Sequence, residues 1–273
     1  MQHREAFAFV SNKKRLNKDS WGRFLMPIRW LWDHFGPNRY ELEHFLVPGK
    51  APFALICPGG GYEVVCSEHE GTAYAKALNR KGIHAFVLHY RVKDKARYPA
   101  PQDDVARAIR EILDHADQWN VDLEGYSVWG SSAGGHLAAS FGTKKWGYSH
   151  YGLPKPTALV LCYPVISMGE HSHLGSREYL LGTDPTPELR KEFSIEHQVT
   201  SEYPPTFVWN SAKDELVPPE NGQMLATALK HADVYHSYLQ FPNGKHGIGL
   251  AKGTIYEPWF DEALAFWQKA RQG

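Results

Sequence analysis

Short apolar segments recur along this chain, and they predict the strands of a buried sheet. Each is rich in β-branched or aromatic residues, as is typical of strands that are covered on both faces. A further segment, residues 40–47, alternates apolar and polar positions before Pro48-Gly49, which indicates a strand followed by a turn. The apolar segments are residues 53–57, 83–90, 126–129, 158–163, 205–210 and 234–241.

Helical patterns fill most of the intervals between these segments. Pro101 opens one of them, with Val105, Ile109 and Ile112 at helical spacing behind it. Because strands and helices alternate, we expect an α/β fold with a mostly parallel central sheet and helices on both faces. We expect a single domain over residues 1–273. The other predicted helices cover residues 68–80, 133–141, 218–231 and 259–270.

Two segments depart from this alternation. Residues 164–204 are rich in Gly, Pro, Ser and His and are long for a connection, which predicts a short cap or binding insertion. Residues 1–35 combine a basic stretch with many aromatic residues. We expect them to form an N-terminal extension that packs on the domain, with a dimer contact or a substrate wall as the alternatives.

The composition excludes several classes of partner. The chain has 273 residues, 42% of them hydrophobic, with 30 basic and 30 acidic residues and a net charge of zero. Without a basic field, nucleic acids and anionic membranes are poor partners. The N-terminus lacks the apolar core of a secretion signal, and no segment reaches membrane-spanning length. We therefore expect a cytoplasmic protein, with removal of an earlier signal peptide left open.

The three cysteines favour the same compartment. Cys57, Cys66 and Cys162 show neither zinc-binding spacing nor a disulfide framework, although one bridge between two of them stays open. His171 and His173 in residues 164–204 have no third ligand at a fitting spacing. We expect no metal and no cofactor.

The sequence Gly130-Ser131-Ser132-Ala133-Gly134 is the first candidate for chemistry. It reads Gly-x-Ser-x-Gly and stands between a predicted strand and a predicted helix, which is the context that a nucleophilic serine at a sharp turn requires. Glycines at both ends remove Cβ atoms where the strand and the helix crowd the serine. The motif alone is common in Gly-rich chains, so the other residues must decide.

A serine nucleophile needs a base, and the base needs an acceptor. His246 lies in a Gly-flanked loop after the last predicted strand, and Asp214 follows the strand before it. The chain order Ser132, Asp214, His246 is the order that this architecture produces. Glu215 is the rival of Asp214, and Asp103, Asp104 and Asp184 are further acids. We expect His136 to have a structural role.

A developing oxyanion needs fixed backbone N–H donors. Ala133, directly after the serine, would supply one, and Gly60 and Gly61 would supply the others. Three consecutive glycines allow that loop to turn its amides toward a substrate. They lack the pattern of a phosphate-binding loop.

Taken together, these motifs resemble those of the α/β-hydrolase superfamily, and in particular of small carboxylesterases similar to acetyl-xylan and feruloyl esterases. The resemblance extends over about residues 50–250 and implies an α/β-hydrolase fold, a serine triad and hydrolysis of small acyl esters, often acetyl groups on sugars. One departure is Pro58, where many relatives place a histidine that precedes the glycines. The resembling segments are residues 57–62, 98–101, 130–136, 163–166, 204–207, 214–218 and 244–247.

We therefore expect a serine carboxylesterase that acts on a small-molecule ester, with acetylated carbohydrates as one substrate class. A peptidase or amidase of the same fold and a catalytically silent binding module are the alternatives. Candidates for lining the substrate pocket are Tyr62, Trp129 and Trp146. Acyl length, alcohol and a homo-oligomeric state stay open.

Overall fold

The computed structural model describes residues 39–272, and within them seven strands form one sheet. The strands are β1 (Glu41–Phe45), β2 (Ala51–Cys57), β3 (His84–His89), β4 (Val121–Ser131), β5 (Ala158–Cys162), β6 (Thr206–Ser211) and β7 (His236–Phe241). The helices are α1 (Ala73–Asn79), α2 (Ala100–Asp114), α3 (Ala116–Trp119), α4 (Ser132–Phe141), α5 (Leu174–Leu181), α6 (Pro187–Phe193), α7 (Glu220–His231) and α8 (Trp259–Ala270).

The strand order across the sheet is β1-β3-β2-β4-β5-β6-β7. The pairing of β1 with β3 is antiparallel, and the pairings among the other strands are parallel. The prediction of a mostly parallel sheet is confirmed. Parallel strands end at one edge, so the loops after β2, β4, β6 and β7 meet there although they lie far apart in the chain.

Two cores cover the two faces of the sheet because successive side chains of a strand point to opposite faces. Leu55 packs in one core and Ile56 in the other. Helices α2, α4 and α7 contribute buried residues to the first core, and α1 and α8 contribute to the second. Helices therefore lie on both faces, as the alternation of elements predicts.

Two elements differ from the sequence prediction by more than two residues or in helix type. Strand β4 starts at Val121 rather than at Tyr126, because residues 121–125 alternate apolar and charged side chains instead of forming a continuous apolar segment, and only Val121 among them is buried. The helix expected over residues 68–80 begins with a π-helical turn, Ser67–Thr72, that leads into α1. The turn contains a buried Glu70.

Residues 164–204 contain α5, α6 and a 3-10 turn, Ile195–His197. Side chains from this segment, Leu180 and Phe193 among them, are buried in the first core. Its role as a cap stays a prediction, and the predicted extension over residues 1–35 lies outside the described residues. No helix between residues 39 and 272 has the length and hydropathy that crossing a membrane requires.

The backbones of β2, β4 and α4 touch at the carboxyl edge of the sheet. A Cβ atom at Gly134 would lie 2.1 Å from the carbonyl oxygen of Cys57 and 2.3 Å from that of Pro58. A Cβ atom at Gly130 would lie 2.2 Å from the carbonyl oxygen of Gly134. The two motif glycines are therefore required by backbone contact, which supports the steric reason predicted for them.

We expect Gly134→Ala to destabilise the fold by more than about 3 kcal/mol, because the clash involves backbone atoms that no side-chain rotation can move. The free energy of unfolding by urea measures the effect. Gly169→Ala is the control: its nearest atom, the Oγ of Ser167, lies at 3.3 Å and can turn aside. Equal stability of the two variants would contradict the interpretation that backbone contact requires glycine at position 134.

Candidate active site

Ser132 stands at the sharp turn between β4 and α4. Its φ of 53° lies in the left-handed region, which is a strained conformation for a residue with a side chain. The carbonyl oxygen of Ser132 accepts a hydrogen bond of 3.0 Å from the amide of Val165, which fixes the turn against the segment after β5. Such strain persists only where the surroundings determine the conformation, and here it presents a hydroxyl at a helix N-terminus.

A line of hydrogen bonds joins the three side chains that the sequence predicts as a triad. Nε2 of His246 lies 2.8 Å from the Oγ of Ser132, and Nδ1 lies 2.6 Å from Oδ2 of Asp214. Because a carboxylate only accepts, the Nδ1–H of a neutral imidazole donates to Asp214 and leaves Nε2 to accept the serine proton. The structure thus brings Ser132, Asp214 and His246 together; their catalytic role stays a prediction.

The carboxylate of Asp214 is fixed on both oxygens. Its Oδ1 accepts hydrogen bonds of 2.9 Å from the amides of Leu216 and Val217, while its side chain is only 1% exposed. Glu215, the rival acid, is exposed to solvent. The hydroxyl of Ser211 donates to the carbonyl oxygen of Gly244 at 2.8 Å and so ties the Asp214 loop to the His246 loop.

The glycine loop after β2 presents free amides. Gly60 and Gly61 have φ values of +123° and +68°, which side-chain-bearing residues rarely adopt. Within residues 39–272, no acceptor takes a hydrogen bond from either amide. Ala133 lies in the first turn of α4, where backbone N–H groups have no intrahelical acceptor. All three amides can donate to a ligand; their function as an oxyanion hole stays a prediction.

Two of the three residues predicted to line the pocket are wholly buried in this structure. Trp129 packs in the second core against Trp259 and Phe260, because it lies on the face of β4 that α8 covers. Tyr62 is buried too, with its hydroxyl 2.9 Å from Nδ1 of His136. Neither side chain presents surface to a substrate, which corrects the prediction for both. Both assignments failed because sequence adjacency to a motif does not determine the direction of a side chain.

Trp146 is half-buried and stacks on Phe193 with ring centroids 5.0 Å apart. Its place in a substrate pocket stays a prediction. The open space beside His246 is a depression of about 630 Å³ that the Asp214 and His246 loops line, with Leu216, Gly244 and Lys245 among its walls.

His136 has the structural role that the sequence predicts. Its Nε2 donates to the carbonyl oxygen of Phe193 at 2.8 Å, and Nδ1 then accepts from the hydroxyl of Tyr62. Burial lowers the pKa of His136 to about 4, with the Phe193 hydrogen bond opposing in part. A neutral imidazole therefore joins α4, the glycine loop and the end of α6.

His173 lies beside the glycine loop. A Cβ atom at Gly61 would lie 3.5 Å from its Cε1, and its Nδ1 accepts from the amide of Ser176 at the start of α5. Burial lowers the pKa of His173, and the nearby His246 lowers it further. Within the part of the chain that the structure describes, no cluster of three or more His, Cys, Asp or Glu side chains could hold a metal ion.

Sequence reasoning missed two buried polar residues around the site. Oδ1 of Asn221, on α7, accepts from the amides of Ile166 and Ser167, and its Nδ2 donates to the carbonyl oxygen of His171. Glu70 accepts from the amide of Gly59. Nothing in a polar stretch such as residues 67–70 distinguishes a buried carboxylate from a solvated one, so no sequence signal identified either residue.

Comparison with known proteins gives a family match over most of the chain. A family model described as BD-FAE matches residues 47–229. This range contains Ser132 and Asp214 and ends before His246.

Two curated proteins are similar to the chain over 239 residues each. Endo-1,4-beta-xylanase B of Butyrivibrio fibrisolvens is 36% identical, and an acetylxylan esterase of Xylanibacter ruminicola is 34% identical. The alignments cover 81% and 85% of this chain, but 38% and 48% of those proteins. The chain therefore spans less than half the length of either relative.

A solved structure is similar over nearly its whole length. The acetyl ester-xyloside bifunctional hydrolase from Caldicellulosiruptor lactoaceticus gives a TM-score of 0.79 at 37% identity, covering 86% of this chain and 89% of that chain. The sheet order and this structural similarity confirm the predicted α/β-hydrolase fold.

We expect the neutral His136 to make stability depend on pH. Because its pKa is about 4 in the folded state against about 6.5 in an unfolded chain, the unfolded state takes up the proton first as pH falls. The contribution of the neutral His136 to the free energy of unfolding is complete above about pH 6.5. It is lost as the pH falls toward 4, by up to about 1.4 kcal/mol per pH unit.

Urea unfolding between pH 4 and 7 measures this dependence. His136→Gln should be less stable at pH 7 and should show a shallower loss toward pH 4 than the wild type. His231→Gln, at an exposed position on α7, is the control and should retain the wild-type slope. If the stability of His136→Gln fell with pH as steeply as that of the wild type, protonation of His136 would not be the cause of the dependence.

Proposed function

This chain belongs to the BD-FAE family, and on that premise we propose that it is a serine carboxylesterase acting on short-chain acyl esters. The observation that carries the proposal is the pair of hydrogen bonds, 2.8 Å and 2.6 Å, that join Ser132 to His246 and His246 to Asp214. A serine hydroxyl is a weak nucleophile at neutral pH and becomes reactive when a positioned imidazole takes its proton.

In the proposed first half of the reaction, the Oγ of Ser132 attacks the ester carbonyl carbon while Nε2 of His246 takes the hydroxyl proton. Asp214 holds the imidazole in the tautomer that leaves Nε2 unprotonated and then stabilises the imidazolium. The negative charge that develops on the carbonyl oxygen is stabilised by the amides of Gly60, Gly61 and Ala133. The alcohol then leaves with the proton from Nε2, and the acyl group stays on the serine.

In the second half, water attacks the acyl-enzyme through the same groups. Nε2 of His246 takes a proton from the water, the oxyanion again faces the three amides, and the acid leaves as Ser132 recovers its proton. The mechanism needs no metal and no cofactor, because the protein supplies the nucleophile, the base and the donors.

Two observations support a small acyl group and a sugar alcohol. Ser132 is only 7% exposed, which favours a short acyl chain over a long one. The names of the relatives refer to acetylxylan and to acetyl ester-xyloside hydrolysis, and we propose acetylated xylo-oligosaccharides as the substrate class of this chain.

We also propose a cytoplasmic location. Cys57 and Cys162 are buried thiols that form no disulfide within residues 39–272, and this state fits a reducing compartment. A homo-oligomeric state stays open.

We expect Ser132→Ala to abolish hydrolysis of p-nitrophenyl acetate, with a loss of at least about 10⁴-fold in kcat, because the acyl-enzyme cannot form. A fluorophosphonate probe should label the wild type and leave the variant unlabelled. Ser149→Ala, at an exposed position, is the control and should keep both properties. Turnover by purified Ser132→Ala would contradict the mechanism.

A substrate panel tests the specificity. We expect kcat/KM on p-nitrophenyl esters to be highest for acetate and to fall as the acyl chain lengthens beyond about four carbons, because the little-exposed Ser132 is more accessible to short acyl groups. Acetylated xylo-oligosaccharides should release acetate, and matched anilides should react far more slowly than the esters. Preferred cleavage of the anilides would instead favour the amidase alternative.

A further inference from the structure

A carboxylate is buried directly behind the glycine loop. Glu70, in the π-helical turn before α1, is 4% exposed, and its Oε2 accepts a 2.7 Å hydrogen bond from the amide of Gly59. Oε1 accepts a 2.6 Å hydrogen bond from the hydroxyl of Tyr163. Neither the proposed nucleophile nor the proposed base contacts this carboxylate in a hydrogen bond, so the reaction described above leaves it unused.

The glycine loop is packed closely between this carboxylate and the nucleophile. A Cβ atom at Gly59 would lie 2.5 Å from Oε2 of Glu70 and 2.9 Å from Cβ of Ser132. Glu70 and Ser132 therefore enclose Gly59 closely. Because Gly60 and Gly61 follow it directly, the position of Gly59 sets where the next two amides point.

The same carboxylate reaches the loop of the base through Tyr163. The hydroxyl of Tyr163 donates to Glu70 and accepts from the amide of Gly249 at 3.2 Å, and its ring packs edge-on to that of His246 at 4.9 Å between centroids. The neighbouring His69 adds a contact, with Nε2 2.8 Å from the carbonyl oxygen of Gly247. Residues 69–70 thus contact both loops.

The charge of Glu70 has no cationic partner within residues 39–272. The ion pairs of that part of the chain do not include it, and its hydrogen-bond donors are an amide and a hydroxyl. Burying a carboxylate without a counter-ion is costly. The two hydrogen bonds from fixed partners offset part of that cost, and they tie the carboxylate to the groups that it orients.

We propose that Glu70 is a positioning residue for the esterase reaction, which takes the proposed function as its premise: its carboxylate holds the amides of Gly60 and Gly61 in register with Ser132 and, through Tyr163, with the loop of His246. The brace comes from the π-helical turn before α1, which carries Glu70. Donors held in advance stabilise charge that develops only in the transition state, so their loss lowers kcat rather than raising KM.

Three variants test whether Glu70 positions the amides of the glycine loop or only stabilises the fold. Glu70→Ala removes both acceptors and should lower kcat for p-nitrophenyl acetate by about 10²-fold or more, with KM changed by less than about threefold. Glu70→Gln keeps one acceptor oxygen for Gly59 and should retain activity to within about tenfold of the wild type. Tyr163→Phe keeps Glu70 but removes the link to Gly249 and should lower kcat by about tenfold.

A second readout follows the oxyanion donors themselves. A trifluoromethyl ketone forms a tetrahedral adduct with the serine, and its affinity should weaken across the variants in proportion to kcat/KM. Glu68→Gln, at an exposed position in the same turn, is the matched control and should behave as the wild type in both assays. Thermal unfolding shows whether each variant is folded. If Glu70→Ala is unfolded, the kcat values of Glu70→Gln and Tyr163→Phe test the positioning role.

The outcomes distinguish this inference from its premise. A wild type that hydrolyses no ester refutes the proposed function. An active wild type with unchanged kcat in Tyr163→Phe and in folded Glu70→Ala overturns the positioning role, as does a loss that appears in KM alone. Glu70→Gln as impaired as Glu70→Ala also overturns it, because charge rather than hydrogen bonding would then matter.

Discussion

The hydrogen bond between His246 and Ser132 joins residues 114 positions apart in the chain, and the arrangement of the site depends on it. It can form because the strands that precede the three loops run parallel and end at one edge of the sheet. The loop of Asp214 then orients the imidazole, and the Ser211–Gly244 hydrogen bond ties those two loops together. The parallel sheet therefore brings the three loops to one edge, and the hydrogen bonds between the loops orient the side chains of the site.

That alignment requires a backbone that side chains would not tolerate. Ser132 adopts a left-handed conformation, and Gly130 and Gly134 lie where a Cβ atom would overlap carbonyl oxygens of neighbouring segments. The strain at the serine persists because β2, β4 and α4 surround it without space for relaxation. Backbone strain at the turn that presents the nucleophile lowers the stability of the fold. Burial of apolar side chains in the two cores, one on each face of the sheet, compensates for it.

Buried polar side chains connect this turn to its surroundings. His136 joins α4 to the glycine loop and to α6, Asn221 joins α7 to the segment after β5, and Glu70 joins the glycine loop to Tyr163. Each has its hydrogen-bonding groups directed at fixed partners, as buried polar networks must if they are to specify one arrangement. These hydrogen bonds hold the loops at the open edge of the sheet in one arrangement.

The sequence by itself determined the order of strands and helices, because apolar segments and helical periodicity are local signals. It also predicted Ser132, Asp214 and His246 as the candidate site, because each of these residues follows a predicted strand. It did not determine which way a side chain points: Trp129 and Tyr62 adjoin the motifs yet are buried, whereas Leu216 and Lys245 line the open depression. Nor did it identify Glu70, whose burial and partners come from segments far along the chain. Direction and burial are properties of packing between distant segments, and only the tertiary structure decides them.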